Sequence, residues 1–325
     1  MEIDRITDQR RPAVSRRDAL VGLSVLVVSS GTAAEAMSGS TRTDTDAGYA
    51  FRQVDVFSPQ PFRGNPLAVV IGADGLSDAQ MALFSKWTNL SETSFLLKPT
   101  DPAADYRVRI FSLGEELPFA GHPTLGSAHA WLVSGGKPKG SEIVQQCGVG
   151  LVHLRGRPGR LAFEAPQLRR STPLAPELLD RLRRGLGLGD GEILAGRLLD
   201  GGLEQIAIMI ASRERLLAIK PDWKTLGVEG VGVIAPWSTH HEDGQTDFEV
   251  RAFDSTLAAS EDPVTGSLNA SIARWLIGAK MAPDHYVVSQ GTVLGRAGRV
   301  YVDREQDRFW IGGDITDRII GRLAV

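Results

Sequence analysis

Residues 107–132 read RVRIFSLGEELPFAGHPTLGSAHAWL, and residues 248–276 read FEVRAFDSTLAASEDPVTGSLNASIARWL. Each stretch opens with a β-type run, Val108 to Phe111 in one and Val250 to Phe253 in the other. An acid-containing loop follows, then a Pro-x-x-Gly-Ser signature (Pro123 to Ser127, Pro263 to Ser267), then an apolar helix ending in Trp-Leu. A second shared phrase comes after each, GRPGRLAFE from Gly156 and GRAGRVYVD from Gly295. Two matching phrases in one order indicate an internal duplication. In this alignment His122 occupies in one copy the place that Asp262 occupies in the other.

The duplication sets the expected fold class: α+β, two pseudosymmetric lobes, each a curved, barrel-like sheet around one central helix. Leu125, Ala128, Trp131 and Leu132 mark the buried stripe of the first helix, and Leu268, Ile272, Trp275 and Leu276 that of the second. The expected lobes are residues 50–170 and 171–325, with the last strand packing back on the first lobe. The boundary is the Leu/Arg/Gly-rich stretch near 171–190. With 325 residues, 42% hydrophobic and 23% charged, the chain can fill two such cores.

Residues 1–36 differ in kind. Arg16-Arg17 precedes the apolar run Ala19 to Val28, which closes near Ala34-Glu35-Ala36. A paired arginine before a short apolar region and a small-x-small site reads as a twin-arginine export signal. The run is far below the roughly 20 apolar residues of a spanning helix, so no stable membrane insertion is expected after processing. A periplasmic or secreted location follows, with the cytoplasm as the alternative; residues 37–49 read as a flexible lead-in.

A net charge of −3 and the lack of a basic stripe give no reason to expect nucleic acid. One cysteine, Cys147, excludes an internal disulfide and a two-thiol acid/base pair. His240 and His241 in THHEDG lack the spacing of a metal site, and no phosphate loop is present, so no metal and no cofactor are expected.

Proline suits the first helical position, so Pro123 and Pro263 are read as helix starts, each an anion-binding N-terminus. His122 and Asp262 stand at these mouths, with Gly121, Gly266 and Ser267 allowing close backbone approach and one hydroxyl. Glu92, in TNLSETSFLL, lies between a helix end and an apolar strand, where half-burial raises a carboxyl pKa. Each has a plainer reading: helix caps for His122 and Asp262, a turn glutamate for Glu92.

NPLAVV (65–70), NLSET (89–93), ELPFAGHPTLGSA (116–128), EDPVTGS (261–267) and QGTVLGRAG (290–298) together resemble the PhzF-like isomerase/epimerase family, named for phenazine biosynthesis. The resemblance runs in order from about Phe51 onward. It implies the diaminopimelate-epimerase-like fold, a homodimer, and cofactor-independent acid/base catalysis between the lobes. It also implies that Glu92 is the catalytic acid/base, with His122 and Asp262 as partners and Gly121, Gly266 and Ser267 around the substrate. The related epimerase branch uses two cysteines, and neither is kept here. The chain departs from the family pattern in the loops FSLGE and FDSTLAASED, which overlie the site. The expected activity is proton transfer on a small carboxylate or amino-acid-like substrate. An exported, non-catalytic two-lobed binding protein is the alternative.

Overall fold

The computed structural model describes residues 48–237, 246–257 and 259–325. The expected export signal, all but the end of the lead-in, and His240 and His241 lie outside the described residues.

The first half runs β1 (Tyr49–Val56), β2 (Asn65–Ile71), α1 (Asp78–Thr88), β3 (Thr93–Leu97), β4 (Tyr106–Ser112), β5 (Glu115–Leu117), α2 (Gly121–Val133), β6 (Ile143–Cys147), β7 (Gly150–Arg157) and β8 (Arg160–Glu164). β9 (Arg170–Pro173) and α3 (Pro176–Gly185) connect the halves. The second half repeats the order: β10 (Ile193–Asp200), β11 (Glu204–Ile210), α4 (Arg213–Ala218), the single turn α5 (Trp223–Leu226), β12 (Gly230–Pro236), β13 (Phe248–Asp254), β14 (Glu261–Asp262), α6 (Gly266–Gly278), β15 (His285–Gln290), β16 (Gly298–Glu305) and β17 (Arg308–Leu323).

Strand pairing is duplicated as well. β1–β2 is antiparallel, β2–β3 parallel, β3–β4 antiparallel and β4–β6 parallel. β10–β11, β11–β12, β12–β13 and β13–β15 repeat those senses in turn. The fold is the α+β pair of pseudosymmetric lobes that the repeat implies. β17 belongs to both, pairing with β16 and β8 through its first part and with β1 from Ile315 to Leu323.

The two central helices are apolar because both are enclosed. In α2 every residue from Gly121 to Ala130 is buried, and in α6 Ile272, Ala273 and Leu276 have no exposed surface. Each such leucine or isoleucine contributes about 1.5–3 kcal/mol by leaving water. Trp131 and Leu132 are only half-buried; Trp131 stacks on Tyr106 at 5.2 Å between ring centres.

The helix starts differ from the sequence expectation. α2 begins at Gly121, so Pro123 is its third residue, and α6 begins at Gly266, so Pro263 lies outside it. Pro123 fits because the first-turn N–H groups have no partner within the helix, and Pro263 fits because it stands ahead of the N-cap Thr265 and takes no part in the helical ladder. In space the equivalent pair is therefore Gly121 and Gly266, and His122 corresponds to Ser267, not Asp262. Side chains confirm this register. Thr124 bonds back to the Ala120 carbonyl and receives Gln145, while Asn269 bonds back to the Thr265 carbonyl and to Gln290. The second shared phrase also falls in unlike places: the first copy spans the β7–β8 turn, the other leads into β16.

Candidate functional site

Three local structures deliver the polar cluster. α1 starts in a capping box, Ser77 with Gln80, and stops at Asn89, whose φ of 55° is the left-handed C-cap conformation. That turn brings Glu92 to the head of β3. β2 runs parallel to β3, with Ala68 opposite Thr93, and its first residue is Asn65. In the second half, β14 holds Asp262 against β13 just before α6.

These elements meet where the two central helices touch. A methyl group on Gly121 would lie 2.7 Å from the Gly266 Cα, and one on Gly266 would lie 3.0 Å from the Gly121 Cα. The two glycines thus serve the contact between helix N-termini. Neither N-terminus is capped by a side chain, so two sets of first-turn N–H groups and two positive dipole ends converge.

Beside this contact His122 Nε2 faces Glu92 Oε2 at 3.4 Å. Asn65 Nδ2 lies 3.3 Å from His122 Nδ1 and donates to Asp262 Oδ1 at 2.9 Å and to the Val264 carbonyl at 2.9 Å. The Thr265 hydroxyl donates to Asp262 Oδ2 at 2.6 Å. Gln290 fixes the same turn, accepting from Thr265 N and donating to its hydroxyl. Glu92, His122 and Asp262, distant in sequence, thus share one neighbourhood: Asn65 links His122 to Asp262, Glu92 Oε2 and His122 Nε2 face each other without a hydrogen bond, and Ser267 is held at the edge by Gln205 at 3.4 Å. Asn65, Gln205, Thr265 and Gln290 were not singled out from the sequence. Asn65, Thr265 and Gln290 stand inside the motifs NPLAVV, EDPVTGS and QGTVLGRAG, which could have flagged them, whereas Gln205 lies outside every quoted motif.

Burial sets the protonation states. Loss of solvent, reinforced by the nearby Asp262 and Asp254 charges, pushes the Glu92 carboxyl up to about 8. Desolvation also raises Asp262, to about 6, against the donors Thr265 and Asn65 that favour its charged form. The two carboxyls interact, so they titrate as a pair. Burial lowers His122 to about 3, so its imidazole is neutral at pH 7.

Below Asp262, the adjacent Glu261 forms a buried bidentate pair with Arg251 at 3.0 and 2.6 Å. Arg251 Nη1 meets the carbonyls of Leu216, Leu217 and Ile219 at the end of α4. This anchors the strand that presents Asp262.

A cavity of about 680 Å³ opens over the cluster. Its walls come from both halves: Glu92 and Phe119 from the first, Glu204, Gly232, Asp254 and Asp262 from the second. Among the described lining residues six are carboxylates and none is Lys, Arg or His. A second hollow, about 420 Å³, lies around Arg155 and Arg160, which are already paired with Glu305 and Asp314. No cluster of three metal-ligating side chains occurs among the described residues. Cys147 is half-buried with its thiol pKa raised by desolvation, which suits packing and not nucleophilic use.

A two-lobed α+β scaffold with carboxyl and imidazole groups gathered at its helix N-termini places the chain among isomerases and epimerases. The chain belongs to the phenazine biosynthesis-like (PhzC-PhzF) family, whose model matches residues 54–315. It is 34% identical to Antisense-enhancing sequence 1 of Schizosaccharomyces pombe over 298 residues, covering 85% of this chain and 99% of that protein. It is 31% identical to the uncharacterized isomerase PM1503 of Pasteurella multocida, covering 85% and 94%. Among solved structures it is similar to a predicted epimerase, PA4716, from Pseudomonas aeruginosa, at 26% identity and a TM-score of 0.69, covering 85% of this chain and 99% of that one.

Proposed function

We propose that the chain is a cofactor-independent isomerase that moves a proton between carbons, or inverts one, on a small amino-acid-like carboxylate bound in the cavity between its lobes. The observation that carries this reading is the meeting of Glu92 and His122 at 3.4 Å beside two uncapped helix N-termini that touch through Gly121 and Gly266. Among the described lining residues no side chain is cationic, and the helix N-termini suit a carboxylate, or the enolate formed from one. The carboxylate-rich wall suits a substrate ammonium group.

Glu92 acts as the general acid/base. With a pKa near 8 roughly a tenth of it is ionised at pH 7, so one group can remove a proton from one carbon and return it to another on the same face, whereas inversion of a carbon requires a second acid to deliver the proton to the opposite face. Neutral His122 points a ring nitrogen at Glu92 and relays or steadies that proton. Asp262, held by Asn65 and Thr265, orients the substrate. An α-proton transfer of this kind runs on carboxyl and imidazole groups alone.

The test is incubation of candidate amino acids and unsaturated amino carboxylates with the protein in heavy water. Deuterium should enter carbon, and Glu92→Gln should lower the rate about 10²–10⁴-fold while the fold is kept. Tight binding without exchange would instead make the chain the two-lobed binding protein. We further propose a homodimer, read by light scattering, and export directed by residues 1–36, read by cell fractionation.

A further inference from the structure

We propose that Asn65 is a positioning residue of this site: its single carboxamide ties the two halves together and fixes the His122 ring in the tautomer that presents Nε2–H to Glu92. The inference deepens the acid/base reading and rests on it.

Asn65 has no exposed surface, and its Nδ2 faces three acceptor positions: His122 Nδ1, Asp262 Oδ1 and the Val264 carbonyl. The alternative amide orientation would point a carbonyl oxygen at a carboxylate and a backbone carbonyl at 2.9 Å, so the nitrogen must lie there. The two amide protons serve the 2.9 Å acceptors, so the 3.3 Å contact to Nδ1 shares one of them; a ring N–H in that place would meet an N–H head-on, so Nδ1 keeps its lone pair. His122 is neutral, so its one ring proton is then on Nε2, the atom 3.4 Å from Glu92. His122 comes from α2 of the first half, while Asp262 and Val264 come from the second, so this side chain also holds the halves in register.

The Asn65 carbonyl oxygen is buried without a partner, a cost that packing alone does not require. Its backbone is fixed independently. Asn65 pairs with Val56 across β1–β2 and precedes Pro66, which keeps it extended. A leucine of similar shape can therefore occupy the site without the amide.

The experiment reads the tautomer directly by ¹⁵N NMR of histidine-labelled protein, with no substrate present. Its outcome is thus separate from whether the catalytic reading holds. The wild-type His122 signals should show Nε2 protonated and Nδ1 bare. Asn65→Leu should give a mixture of tautomers, and Asn65→Asp should shift the proton to Nδ1, where the new carboxylate accepts it. A wild-type Nδ1–H ring, or a pure Nε2–H ring persisting in folded Asn65→Leu, overturns the proposal. If neither variant folds, Asn65→Ala supplies the substitution, and the wild-type spectrum still decides the tautomer.

Discussion

Replacing Gly121 by alanine tests the contact on which the site is built. The added carbon would lie 2.7 Å from Gly266 Cα and C and from Ser267 N, all of them backbone. No rotamer change can relieve a clash with backbone. Ordinary contact begins at 3.4 Å, so the two N-termini must part by roughly 0.7 Å, the difference between those distances. Overpacking costs about 1–3 kcal/mol, and a backbone-to-backbone clash belongs at the upper end. Alanine recovers about 0.4–1 kcal/mol through the unfolded chain, which leaves a net loss of about 2 kcal/mol. For a domain of this size that lowers the melting temperature by roughly 4–8 °C. Gly278→Ala, at the far end of α6 with nothing within 4 Å, is the matched control and should be neutral or slightly stabilising. Calorimetry of both variants is the assay. The same displacement pulls His122 and Asp262 apart, and a 1 Å misplacement can cost about 10²-fold in rate, so carbon exchange should fall further than stability does. Gly121→Ala melting at or above the wild-type temperature would refute the reasoning.

Other expectations follow from the charges. Glu92 is raised from 4.5 to about 8, so its folded-state advantage is present below pH 4.5 and lost as pH rises through 8. Glu92→Gln should therefore gain stability relative to wild type across that window, seen in urea midpoints at several pH values. His122 is depressed from 6.5 to about 3, so the unfolded chain binds more protons between those values and wild type loses stability as pH falls below 6.5. His122→Leu should show a shallower acid slope in the same titration. Arg251→Met strands Glu261 in the interior and should cost about 3–5 kcal/mol, whereas Arg251→Met with Glu261→Leu should recover much of that in denaturant unfolding.

The duplicated scaffold was legible because β-runs and apolar helices leave periodic signatures. Leu125, Ile272 and Leu276 are core residues on that ground. Register was not legible, because Pro-x-x-Gly-Ser fits two settings: inside the first turn of α2, and ahead of α6 where Asp262 and Thr265 bond to each other. The true repeat lies in Gly121 with Gly266 and in Gln145 with Gln290, whose equivalence appears only as hydrogen bonds. Glu92, His122 and Asp262 could be picked as candidates from residue type and neighbours, but Asn65 only by its place in the motif NPLAVV. Its role comes from three partners on other elements, and locally it is an ordinary turn asparagine. β10 leaves little signature in the sequence, because its residues are mostly half-buried and Gly196 interrupts it where Leu174 and Leu179 crowd the backbone.

β17 gives the fold a timing problem. Its partners β1 and β8 leave the ribosome long before it does, so the first barrel cannot be sealed while the second is still being translated. Until then those strand edges are open to other chains. Nascent-chain collapse should thus begin on α2 early, and cooperative closure should await the final strand. Shortening that strand would damage the half of the molecule made first.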